Sequence, residues 1–154
     1  MYQLLLSLHS ITRWLVLLSL FYTIWLSIKG MVTQGLFTRV DNLARHLTAT
    51  VIHVQLLLGL YLYTISPVVK VNFELQNTGK IMDEQLFFKY LHIGLMIAAV
   101  VLVTIGSAKT KRIQADRLKF STMLAWYTAA LIIILIAIPW PFSPLSNRPL
   151  LRPF

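Results

Sequence analysis

Residues 122–138 read TMLAWYTAALIIILIAI and run straight into Pro139-Trp140-Pro141. This stretch carries no charge and shows no alternation of apolar and polar residues. It is long enough for a helix across a bilayer, which needs about 20 mostly apolar residues. It is about twice the length of a barrel strand. Proline cannot continue a helix interior, so the stop has a mechanism.

Three more stretches share this character. The spans are expected at about Leu4–Ile28, Leu47–Ile65, Leu86–Gly106 and Thr122–Ile138, with Ser66-Pro67 ending the second. The composition agrees. Of the 154 residues 57% are hydrophobic and 12% charged, against about 25% charged in a soluble domain. Mean hydropathy is +0.72. A soluble domain this small has too little interior to hide that much apolar surface. The expected fold is therefore all-α: one polytopic four-helix membrane bundle occupying residues 1–154. No small-residue cleavage site follows the first run, which is read as a retained span.

The net charge of +9 does not point to nucleic acid. The basic residues lie between apolar runs, as juxtamembrane anchors do. Lys29, Arg39 and Arg45 follow the first span; Lys109, Lys111, Arg112, Arg117 and Lys119 follow the third. These are eight of the fourteen Lys and Arg residues. The positive-inside rule makes these two connections cytoplasmic and puts both termini on the outer, periplasmic side. The remaining bases (Arg13, Lys70, Lys80, Lys89, Arg148, Arg152) then lie outside with Glu74, Asp83 and Glu84. The polar connection Ser66–Gln85 is the one outer segment with room for a short interfacial helix or a cover over a site. Trp14, Trp25, Trp126 and Trp140 are placed as interface anchors or packing residues.

There is no cysteine, which removes disulfides and thiolate-held metals. No phosphate loop, HExxH or nucleophile motif occurs. What remains is a set of ionisable residues inside spans, each costly in lipid and so a functional candidate. These are His9, Arg13, His53 and His92, whereas His46 beside Arg45 reads as interfacial. A rise of about 1.5 Å per residue gives a depth ruler, with His9 about 30 Å and His92 about 25 Å from the cytoplasmic boundary. His53 is only about 12 Å from it by the same ruler. An intramembrane histidine either serves a site or hydrogen-bonds across helices. Three on three helices point to a shared site, and the matched depths make His9 and His92 the candidate ligands of one metal or haem iron. Arg13, one turn after His9, needs an anionic partner such as a haem propionate or Glu84, or else snorkels to the interface. Met96, one turn after His92, is a thioether or a packing residue. Gly59 and Gly94 allow close approach of a flat cofactor or a helix.

These residues carry a resemblance. His9-Ser10-Ile11-Thr12-Arg13-Trp14-Leu15 resembles the HSxLRWL opening of a family of small four-helix inner-membrane proteins of Bacteroidota, described as cytochrome b-like. Asp41-Asn42, His53-Val54-Gln55-Leu56-Leu57-Leu58-Gly59, Ile105-Gly106-Ser107-Ala108-Lys109 and Ile138-Pro139-Trp140-Pro141-Phe142 are similar to that family too. The likeness covers nearly the whole chain. The family's third-helix histidine sits in an acidic–His pair, whereas this chain has Leu91-His92. The resemblance implies haem b, electron transfer and a bacterial inner-membrane location. The combined expectation is a bis-histidine haem on His9 and His92 near the outer leaflet. Arg13 lies at a propionate, and His53 is a ligand at a second site, a quinone contact or a bundle hydrogen bond. The alternatives are a cofactor-free accessory subunit of a larger membrane complex or homo-oligomer, and a small transporter or metal carrier.

Overall fold

A computed structural model describes residues 1–70, 84–146 and 148–150. Four helices are long and apolar enough to cross a membrane: α1 Tyr2–Val32, α2 Arg39–Ile65, α3 Glu84–Arg112 and α4 Asp116–Ala137. No strand occurs among the described residues. The helices run up and down, each packing on its two neighbours, with α4 closing back on α1. α1 and α3 thus face each other across the bundle. The chain is a multi-pass membrane protein, and the apolar side chains around its rim, such as Leu18, Leu57, Val101 and Ile132, face lipid.

Every helix runs past its apolar segment, and α4 begins at Asp116, ahead of Thr122. The expected start of the second span, Leu47, is eight residues late. Thr38 caps α2 with Asp41: the Thr38 backbone N–H donates to Asp41 Oδ2 at 2.7 Å and the Asp41 N–H donates to Thr38 Oγ1. This capping box satisfies two orphan donors and fixes the helix start in polar sequence. Asp41 and Arg45, expected in a loop, are instead buried helix residues. The third connection is likewise shorter than expected. Lys109, Lys111 and Arg112 form the last turn of α3, where cations suit the helix dipole. Most of the 66–85 connection lies outside the described residues, and with it Glu74, Lys80 and Asp83; Arg152 does too. Pro67–Lys70 forms one helical turn.

The end of the bundle that holds the α1–α2 and α3–α4 connections is sealed by polar stitching. Thr23 and Thr48 share a 2.8 Å hydrogen bond, and Thr48 also donates to the Ser19 carbonyl. Arg45 donates to the Ser107 carbonyl at 3.0 Å, to Ser107 Oγ, and through Nε and Nη2 to Asn42 Oδ1. Tyr127 donates to the Arg45 carbonyl at 2.8 Å. Three helices therefore meet on one residue, α3 at the Arg45 side chain and α4 at its carbonyl. Beside this latch the backbones come close: α3 presents Gly106 to Trp126, and α1 presents Gly30 to the ring of Phe120. A Cβ on Gly106 would fall inside contact distance of Trp126 Cβ and Cγ. Gly106→Val is expected to cost about 3 kcal/mol, the upper range for overpacking a tight interior, read by thermal unfolding in detergent.

Candidate functional site

The opposite end of the bundle, where α1 begins and α4 ends, holds a cavity of about 320 Å³. Its size is within the range of about 300–1,000 Å³ typical of small-molecule and cofactor sites. Val16, Ile52, Val100 and Ile134 form apolar walls, and a few polar groups converge on it: His9, Arg13, Gln55, Tyr63, His92 and Arg148. The structure therefore brings His9, Arg13 and His92 together from α1 and α3, and it leaves His53 elsewhere. Met96 lines the cavity as well.

The orientation of His92 follows from two prolines. In an α-helix the N–H of residue i serves the carbonyl of residue i−4. Pro139 and Pro141 have no N–H, so the carbonyls of Leu135 and Ala137 lose those donors. Each finds a side chain. Trp140 Nε1 donates to the Leu135 carbonyl at 2.8 Å, and His92 Nδ1 donates to the Ala137 carbonyl at 2.8 Å. The carbonyl fixes the imidazole tautomer with its proton on Nδ1. Nε2 is then the basic nitrogen, which is the arrangement that orients metal-ligating histidines. The rings of Phe87 and Phe88, with centroids at 5.9 and 5.7 Å, hold the imidazole laterally.

The backbone is unusual at the same place. Phe87–His92 is a π-helical turn at the head of α3. Such turns are rare and gather at functional sites, because the extra residue re-aims the side chains that follow. Tyr63 of α2 donates to the Lys89 carbonyl within it at 3.2 Å.

His9 is held differently. Gln55 Nε2 donates to the His9 carbonyl at 2.9 Å, and the Gln55 side-chain oxygen accepts from Thr12 Oγ1. The imidazole lies against Gly59, where a Cβ would come within 3.1 Å of His9 Cε1. Gly59 thus gives the ring its room. Gly94 does no such work: it is exposed, and a Cβ there would meet nothing. His9 Nδ1 is buried and has no hydrogen-bond partner among the described residues. A buried polar atom without a partner calls for an explanation, and a ligand in the cavity is one.

His53 is exposed on the flank of the bundle between α2 and α3. Its Nδ1 donates to the Ala49 carbonyl at 2.6 Å and its Nε2 lies 3.2 Å from Thr104 Oγ1. The first bond lies within α2 and the second joins α2 to α3, so both ring nitrogens are engaged away from the cavity. His46 is exposed near the sealed end.

Glu84, expected as a partner for Arg13, pairs with Arg148 instead. Arg13 donates to the Leu150 carbonyl and lies over the rings of Trp14 and Trp140 at 5.5 and 6.0 Å. Gln55, Tyr63 and Arg148 escaped the sequence reading. Gln55 was visible as an uncharged amide at mid-span within the His53–Gly59 motif, and Arg148 read only as one of the outer basic residues. Compared with protein-family models, with curated proteins and with solved structures, the chain finds no match in any of the three.

Proposed function

We propose that the chain is a b-type-cytochrome-like electron carrier of the bacterial inner membrane, holding haem b between His9 and His92. The observation that carries this reading is the convergence of two imidazoles, from helices that face each other across the bundle, on one apolar cavity. The residues fit the group. His92 has its Nδ1 tied to a carbonyl, His9 has a buried nitrogen without a partner, the walls are apolar, and arginines line the same cavity. Haem bound there would supply one-electron transfer. The protein would hold it through His9 and His92, between apolar walls. Arg13 would face a propionate. By the positive-inside rule this cavity would lie toward the periplasmic leaflet. A quinone or a second redox subunit would exchange electrons with it.

Expression with ample haem, extraction in mild detergent and a reduced-minus-oxidised visible spectrum test the proposal. A b-type band is expected. A chain that purifies colourless with partner helices would overturn it in favour of an accessory-subunit role. Gly59→Leu, which fills the space beside the His9 ring, is expected to remove most of the bound haem while leaving the helical far-UV signal in place.

A further inference from the structure

Among the described residues, three of the five buried polar atoms that lack a hydrogen-bond partner belong to residues lining this one cavity. They are His9 Nδ1, Arg13 Nε and Arg148 Nε. Two of the three are guanidinium donors, which can only donate. A buried N–H that donates to nothing carries a desolvation penalty unless an acceptor arrives. The charges point the same way. Two guanidinium groups line the cavity and one carboxylate, Glu84, offsets Arg148. Arg13 has no carboxylate partner among the described residues.

The two arginines come from opposite parts of the chain. Arg13 stands in the first half of α1. Arg148 is carried back to the cavity by the segment after α4. That segment is pinned at Pro139, whose carbonyl accepts from the Arg148 N–H at 3.2 Å, and at Leu150, whose carbonyl accepts from both Arg13 and Trp14 Nε1. Trp140 stacks on Phe142 and meets Trp14 edge-on, and Arg148 lies over the ring of Phe88 at 5.5 Å. The C-terminal segment is thus folded against α1 and α3 and adds its own cation to a cavity that the four helices have already shaped.

Resting on the haem reading, we infer that Arg13 and Arg148 form a two-armed carboxylate clamp, and that its ligands are the two propionates of the haem. Guanidinium groups suit this role because their donor fork matches carboxylate geometry. The clamp also explains why the C-terminal segment returns to the bundle instead of leaving it.

The experiment is an equilibrium titration of the full-length chain, stripped of haem in detergent, with haem and with its dimethyl ester. It is read by the absorbance of the bound porphyrin. The ester keeps the iron and the ring but has no carboxylate. Haem is expected to bind about ten- to hundredfold more tightly than the ester, the worth of one charge-assisted hydrogen bond. Arg148→Gln is expected to weaken haem binding about tenfold and to leave ester binding unchanged. Equal or tighter binding of the ester overturns the clamp and leaves the axial histidines standing. An Arg148→Gln chain that still prefers haem as strongly as the unaltered chain overturns the part given to Arg148. A chain that binds neither porphyrin overturns the haem reading and the clamp together. The ester comparison uses the unaltered chain, so it does not depend on any variant folding.

Discussion

His92→Ala is expected to leave a folded, colourless protein. The substitution removes one of the two imidazoles on the cavity and leaves the Ala137 carbonyl without its donor. Losing that neutral hydrogen bond costs about 1 kcal/mol. The site lies at the cavity end of the bundle, away from the Arg45 latch and the close contacts of Gly30 and Gly106, so the helices stay packed. The loss of ligation is far larger, because a single axial histidine gives neither the affinity nor the low-spin spectrum of a pair. His9→Ala is expected to do the same. His53→Ala is the internal control. Its ring nitrogens bond to Ala49 and Thr104 on the flank of the bundle, so its removal is expected to leave the band unchanged. Difference spectra of the three variants check this, and a His53→Ala chain that loses the band would reassign the ligands.

Arg45→Ala acts at the other end and on stability. The side chain is 6% exposed and joins α2 to α3 through Ser107, while its carbonyl takes the Tyr127 hydroxyl from α4. Alanine leaves the Ser107 carbonyl and Asn42 without these charge-assisted bonds, at a cost of about 3 kcal/mol. Arg45→Lys keeps the charge but cannot reach Asn42 and Ser107 at once, because an ammonium is a point donor rather than a fork. It is expected to fall between the two. Denaturant titration in mixed micelles measures the series. An Arg45→Ala chain within about 0.5 kcal/mol of the unaltered one, the usual range of a neutral surface change, would show that the latch adds nothing. Haem content is expected to stay the same in the folded fraction of both variants, since the cavity lies at the far end.

The spans were legible because lipid imposes a simple requirement, a continuous apolar run, and residues 122–138 meet it without a charge. Their ends were less so. Hydropathy sees only the apolar part of a helix, and α2 starts eight residues before Leu47 because Thr38 and Asp41 cap one another. That box was readable in principle, as a threonine followed three residues later by an acid. Arg45 was taken for a loop residue for the same reason. It is buried because the helix carries it between α3 and α4, which no count of basic residues reveals. The pairing of His9 with His92 and the separation of His53 came from the helical rise alone, since depth along a straight helix is a one-dimensional quantity. The π-turn at Phe87–His92, the Gln55 contact with α1 and the return of Arg148 were not legible. Each depends on which faces of distant segments meet. The role of Pro139 and Pro141 lies between these cases: the carbonyls they free can be counted from the sequence, but not the side chains that claim them.

The most direct test of the account is the haem content of the purified full-length chain, measured together with the spin state of its iron. The account predicts one haem per chain, low-spin in both oxidation states, as two imidazole ligands require. A chain with no haem, or one whose haem is high-spin with an open axial position, would contradict it.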